Sequence, residues 1–212
     1  MASTAQVAQL SKFYVSGTVG SSITITGITK ATSAVVTATN TLAVGDVVKF
    51  GAVTSMPEIK DLLGIVTVAS GSSFTVAIDS SGFAAVGTSG TAIPQTFTKI
   101  ANVTDFSNDG GSVSNLDKTN LDSTAKEFSP GLQDMGSYSL SYSADDTDVG
   151  QLALVAARSS LSTVIFKQVY PGGLKIRSFS GFVTKLSEPT AGVDKLLVTS
   201  ASIKVTGPIS RG

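Results

Sequence analysis

Ser137-Tyr138-Ser139-Leu140-Ser141-Tyr142-Ser143-Ala144 decides the fold class. Its strict period of two puts Tyr138, Leu140, Tyr142 and Ala144 on one face of an extended chain, whereas a helix would scatter them. The pattern predicts a strand with its Tyr/Leu/Tyr/Ala face buried and its serine face outward. Downstream, Asp148 is placed to cap a helix with Gln151 at the third position, and Val149, Leu152, Ala153 and Ala156 fall on one apolar stripe. That helix is expected to end near Arg158-Ser159. Ser162 to Tyr170 and Leu174 to Thr184 flank Pro171-Gly172-Gly173 and read as a hairpin. Leu197, Thr199, Ala201, Ile203 and Val205 share one face of a last long strand. Such a succession predicts an antiparallel β-sandwich with one packed helix.

Upstream the pattern changes. Ile23 to Thr26, Val35 to Ala38, Val47 to Phe50, Ile65 to Val68 and Phe74 to Ile78 are short β-branched runs, spaced closely enough for a small closed β-barrel. Gly45-Asp46 and Ser70-Gly71-Ser72 supply turns between them. Pro57-Glu58-Ile59-Lys60-Asp61-Leu62 reads as a single helical turn, with Pro where its missing N–H does no harm. Gly87-Thr88-Ser89-Gly90-Thr91 reads as a linker. The expected organisation is an N-terminal arm over residues 1–20, a barrel module over 21–93 and a core domain over 94–212. Met1-Ala2-Ser3-Thr4-Ala5-Gln6 has neither the basic nor the apolar region of a signal peptide. No run reaches the roughly 18 apolar residues of a membrane helix, so membrane insertion is not expected.

Composition agrees with an all-β chain. Ser (31) and Thr (25) supply over a quarter of the 212 residues, and charged residues only 14%. The sequence has no His and no Cys, which excludes Cys/His zinc sites, His-activated nucleophiles, disulfides and haem ligation. No cofactor and no enzymatic activity are expected. Fifteen acids balance fifteen bases, yet the balance is a sum of opposed segments. Between Asp105 and Asp148 nine acids face two bases, and after Val149 eight bases face two acids.

Three short motifs are weighed against their context. Ser123-Thr124-Ala125-Lys126 matches S-x-x-K, but no S-D-N or K-T-G partner follows, so a loop lysine is the expected reading. Asp145-Asp146-Thr147-Asp148 lacks the glycine and distal Glu of a calcium loop, and Asp148 is already explained as a helix cap. The bases after Val149 form no dense run, and the pI near 6.2 is far below that of a dedicated nucleic-acid binder. Asn108 to Met135 shows few strand or helix signals, and compact domains rarely carry loops beyond about 12–15 residues unless they bind something. This segment is therefore the candidate functional region.

Within it, Leu116-Asp117-Lys118-Thr119-Asn120-Leu121-Asp122-Ser123 followed by Ala125-Lys126-Glu127-Phe128-Ser129-Pro130-Gly131-Leu132-Gln133-Asp134-Met135-Gly136 resembles the central motif of the major tail tube proteins of long, flexible-tailed bacteriophages. The family pattern there is I-D-V-T-N-L-x-S, then A-K-E-x-x-P-G-L-x-D-x-G, then a Ser-rich strand. Lys118 departs from it, where an apolar residue is more usual. The resemblance covers about residues 94 to 212. Residues 28 to 92 resemble a small β-barrel module that recurs in phage tail proteins and is similar to one beside the catalytic cysteine half-domain of ubiquitin-activating enzymes.

The resemblance implies a structural virion protein whose hexameric rings stack into a hollow tube for double-stranded DNA. It implies assembly in the bacterial host cytoplasm and contacts with the tape measure, tail terminator and distal tail proteins. Lys118, Asp122, Lys126, Glu127 and Asp134 would set register against a neighbouring subunit, with Leu116, Leu121, Phe128 and Leu132 as buried anchors. A monomeric adhesin or capsid-decoration β-sandwich is the rival reading, because it would share the composition and turn density.

Overall fold

The structure is a computed structural model and describes residues 10–172 and 175–212. Residues 1–9 of the expected arm, which include Met1 to Gln6, and Gly173 and Leu174 of the expected hairpin lie outside the described residues. The fold is all-β with a single α-helix among the described residues. The first part of the chain contributes β1 (Lys12–Val19), β2 (Ile23–Ile25), β3 (Gly27–Ile28), β4 (Ala34–Thr37), β5 (Val47–Val53), a 3-10 turn (Pro57–Ile59), β6 (Leu63–Ser70), β7 (Ser73–Val76) and β8 (Gly90–Lys99). The second part contributes β9 (Val103–Asn108), β10 (Ser112–Asp117), β11 (Phe128–Asp134), β12 (Ser137–Ser143), α1 (Val149–Ser160), β13 (Val164–Val169), β14 (Ile176–Leu186) and β15 (Val198–Arg211).

In the first part, the pairings run β3-β4-β7-β6-β5-β8, and β8 also pairs with β2. β2 and β3 are consecutive and bend at Thr26, whose amide donates to the Thr37 carbonyl, so the chain itself joins the two ends of this strand order. It encloses a core that includes Ile25, Val36, Phe50, Met56, Ile59, Phe74 and Val76. The expected linker is no linker. Gly87 exchanges backbone hydrogen bonds with Ile28, Thr54 and the 88–89 segment do likewise, and β8 begins at Gly90. Gly87 and Gly90 are needed there because a Cβ at either would lie within 2.8 Å of Val53 or its neighbour.

In the second part, the order β8-β1-β13-β14-β15-β12-β9 is antiparallel throughout. This sheet curls onto itself. Phe13 of β1 and Tyr138 of β12 have ring centroids 6.0 Å apart, although three strands separate them along the hydrogen-bonded order. Tyr138 stacks on Phe179 at 4.4 Å, and Phe166 lies 5.5 Å from Phe179. As the alternation requires, Tyr138, Leu140 and Tyr142 are at most 2% exposed and Ser139 is exposed, while Ala144 is half-buried. Burial pushes the Tyr138 and Tyr142 phenols up, opposed by hydrogen bonds with Arg177 and Thr199 respectively. On β15, Thr199, Ala201, Ile203 and Val205 are buried as expected, but Leu197 precedes the strand and is exposed.

The helix begins where expected, with Asp148 accepting from the Gln151 amide at 2.8 Å, but it buries a different face. Gly150, Gln151, Leu154 and Ala157 pack inward, whereas Val149, Leu152, Val155 and Ala156 face solvent. The small residues decide this. A Cβ on Gly150 would stand 2.2 Å from the Lys99 carbonyl oxygen, so only glycine lets the helix approach β8 so closely. The buried Gln151 side chain also bonds the Asp145 amide and the Ala101 and Ser143 carbonyls, tying the helix start to two strand ends.

The two parts share β8, and a third cluster of Val47, Leu63, Ile65 and Ile165 fills their junction. The C-terminal Gly212 exchanges backbone hydrogen bonds with Ile176 there, at 2.8 and 2.9 Å. Gly150→Ala would improve helix propensity by about 1 kcal/mol in an exposed site. Here it is expected to lower the melting temperature, because the added methyl collides with the β8 backbone, and an unchanged or raised value would refute that packing.

Candidate functional site

The segment from Asn108 to Met135 is not an irregular loop but a β-ribbon. β9 and β12 form a ladder up to Tyr138–Asn108, and the same two chain directions continue as β10 and β11, a separate two-stranded sheet. The break between the ladders is built from paired turns. Asp109 Oδ1 accepts from the Gly111 amide at 3.1 Å and the Ser137 amide at 2.8 Å. Asp134 Oδ1 accepts from the Gly136 amide at 2.8 Å, and Lys204 Nζ donates to both Asp134 oxygens at 2.7 Å. Gly111 and Gly136 have φ of +69° and +80°, and a Cβ on either would lie within about 2.2 Å of Asp134 or Asp109 atoms. The kink is therefore specified by Asp109-Gly110-Gly111 and Asp134-Met135-Gly136, and anchored to β15 through Lys204.

Beyond the kink the ribbon touches little. Leu116 is 55% exposed, Phe128 57%, Leu132 89% and Leu121 fully so. In the ladder Leu116 pairs with Ser129 and Asp117 with Phe128, so Leu116 and Phe128 point to opposite faces. Both faces of the ribbon thus carry uncovered apolar side chains. The tip is shaped by local bonds, including Thr119 N–H to Asp117 Oδ1 at 2.9 Å and Asp122 N–H to Asn120 Oδ1 at 2.9 Å. Lys118, Asp122, Lys126 and Glu127 are exposed, and no ion pair involves them among the described residues. Asp134 stands apart from these residues, since its carboxylate is engaged by Lys204 of its own chain.

A family model described as "Phage tail tube protein, TTP" matches residues 54–212. The chain belongs to that family. The match begins within the first part of the chain, upstream of residue 94 where the motif resemblance starts, and includes β6, β7 and the whole ribbon. Among solved structures, a chain of the cryo-EM structure of the anti-feeding prophage baseplate, 6-fold symmetrised, aligns with 82% of this chain and 96% of its own, at 10% identity and a TM-score of 0.40. That likeness is too low to carry a conclusion. No curated protein sequence matches.

The remaining motifs of this tail tube protein are accounted for locally. Ser123 Oγ accepts from the Asn120 amide inside a turn, so the S-x-x-K residues lack a helical setting. Asp145 Oδ1 accepts from the Thr147 amide and hydroxyl, and Asp148 Oδ1 from the Gln151 and Ala101 amides. No metal-competent cluster of acids occurs among the described residues, and no described helix is long and apolar enough to cross a membrane. A groove of about 1190 Å³ lies between the two parts, lined by Ser and Thr side chains with Tyr14, Phe97 and Lys167. There Lys167 Nζ donates to the Gly45 carbonyl at 3.2 Å and sits 4.9 Å from the Phe97 ring centroid. Burial pushes its ammonium pKa down, opposed by Asp46.

Hydrogen bonds hold both base carboxyls below the ordinary Asp value of 3.8: chiefly the Ser137 and Gly111 amides for Asp109, and Lys204 then the Gly136 amide for Asp134. A depressed folded-state pKa contributes stability that is present above the unfolded value and lost as pH falls through the folded one. The kink is therefore expected to loosen only below pH 3.8. In an NMR titration the Gly111, Gly136 and Ser137 amide shifts should move with midpoints under that value. Midpoints at or above it would show that these bonds do not hold the turns.

Proposed function

We propose that this tail tube protein forms hexameric rings that stack into the hollow tail of a long-tailed, siphovirus-type phage, through which double-stranded DNA enters the host cell. The observation that carries the reading is the ribbon. An isolated two-stranded hairpin is marginal in water, yet this one exposes apolar side chains on both faces beside unpaired charges. Such a surface is suited to burial against neighbours. Leu116, Leu121, Phe128 and Leu132 would be anchors, and Lys118, Asp122, Lys126 and Glu127 would fix register. Asp134 would act from the base, by holding the ribbon's direction.

Ring formation has a second support. Among the described residues β9 pairs only with β12 and ends the sheet order, leaving an edge open, and a head-to-tail contact of suitable rotation closes such edges into a ring. Residues 21–93, with a core of their own, would form a module inserted near the start of the subunit and projecting from the ring. The lumen would be neutral or acidic, since lysine and arginine contacts to phosphate would retain the DNA. Assembly would take place in the host cytoplasm, with the tape measure, tail terminator and distal tail proteins as partners in the virion.

Electron microscopy of the purified protein tests this directly. Hollow tubes or six-fold rings are expected, and compact monomers at all concentrations would favour an adhesin or capsid-decoration protein instead. Lys126→Glu or Glu127→Lys should reduce the sedimentable, tube-forming fraction several-fold while shifting the melting temperature little, because neither side chain has an ion-pair partner among the described residues. Normal polymerisation of both variants at physiological salt would remove these residues from the interface.

A further inference from the structure

Toward the Tyr170 end of β13, four strands set one rank of side chains in line. Phe13 of β1 pairs with Gln168 of β13, Gln168 with Arg177 of β14, and Arg177 with Arg211 of β15. Directly opposed residues share a face of the sheet, with Cβ atoms about 4.5–5.5 Å apart. Phe13 and Gln168 are 2% and 0% exposed, so the rank faces the core. Gln168 is nevertheless unanswered there. Neither its amide nitrogen nor its amide oxygen has a hydrogen-bond partner among the described residues, and the same holds for Ser11 Oγ just before β1. A fully buried amide with both atoms orphaned calls for an explanation, such as a bound ion.

Toward solvent the rank ends in positive charge. Arg177 and Arg211 are like charges set directly opposite one another, an arrangement that is destabilising by itself. Both act on the Tyr138 phenol, which Arg177 also hydrogen-bonds, and the Arg177 guanidinium lies 5.0 Å from the Tyr170 ring centroid. Lys175, whose carbonyl accepts from the Tyr170 amide at 3.0 Å, adds a third base. None of these three bases is in an ion pair among the described residues.

We propose that this rank is a binding site for inorganic hydrogen phosphate, with Arg177 and Arg211 as its charged clamp and Gln168 as its floor. Guanidinium forks match phosphate oxygens in pairs, and an anion held between Arg177 and Arg211 offsets their repulsion. The Gln168 amide selects among anions, because its nitrogen must donate and its oxygen must accept. A carboxylate, a sulfate or a phosphodiester at neutral pH only accepts, and a phosphomonoester loses its last proton at roughly pH 6. Hydrogen phosphate keeps an O–H at neutral pH and can answer both amide atoms. The site does not depend on the tube reading, since all of its residues lie in one chain.

Melting curves of the full chain test this, in phosphate-free buffer with sodium phosphate, sodium sulfate or dimethyl phosphate added at matched ionic strength. Phosphate at tenfold its Kd should raise the melting temperature by about 3–6 °C, and the other two anions by less than about 1 °C. Arg211→Gln, at an exposed strand end, should weaken phosphate binding about tenfold or more in a phosphorus NMR titration, whereas Lys30→Gln, which removes an exposed base elsewhere, should bind as the parent does. Gln168→Leu removes the orphaned amide, so it should melt higher than the parent without phosphate and no longer distinguish phosphate from sulfate. A parent melting temperature that ignores phosphate, or equal stabilisation by sulfate, would overturn the site. Unchanged phosphate affinity in Arg211→Gln would overturn it as well.

Discussion

Burial of one face of β12 is the constraint on which the rest of the structure depends. Tyr138, Leu140 and Tyr142 are withdrawn from water together, and removing a side chain of that size from such a core typically costs about 2–5 kcal/mol. Because the side-chain period is two, a one-residue slip would expose all three and bury serines, so the register with β9 and β15 is fixed. Fixing that register also fixes where the strand begins and ends. The Asp109/Asp134 kink then follows at one end, and the Gln151-stitched start of α1 at the other. A single buried face thus sets the direction in which the ribbon leaves the sandwich.

The other organising element is β8. Its first half is paired on both edges, by β5 and β2, and its last residues pair with β1 of the larger sheet. One continuous strand therefore belongs to both cores, and the Val47/Leu63/Ile65/Ile165 cluster packs the seam. A division of the chain between residues 93 and 94 falls inside this strand. The first part is thus coupled to the sandwich by backbone hydrogen bonds as well as by side chains, which suits a decoration held in a set direction.

Legibility in the sequence tracked burial. The alternation of residues 137–144 could be read because β12 is half-buried, and Asp148 could be read as a cap because its carboxylate has a local partner. The expected apolar stripe of the helix differs from the buried one because α1 is apolar on most sides. Val149, Leu152, Leu154 and Val155 look alike as residue types, and the closeness of β8 to Gly150 selects the inward stripe. The strands of the ribbon were not legible, since neither face is covered and Pro130 and Gly131 interrupt β11 with residues that strands usually avoid. The Asp-Gly-Gly and Asp-Met-Gly turns at its base were the available signal, and they mark the kink rather than the strands.

The central claim is that a ribbon left bare in one subunit is buried by another. Hydrogen–deuterium exchange compared between dissociated and polymerised protein measures this most directly. Amides of residues 112–134 should exchange rapidly in the subunit and become strongly protected in the polymer. Polymers in which residues 112–134 exchange as fast as in the dissociated chain would contradict the account, because the ribbon would then remain in solvent while assembly proceeds through other surfaces.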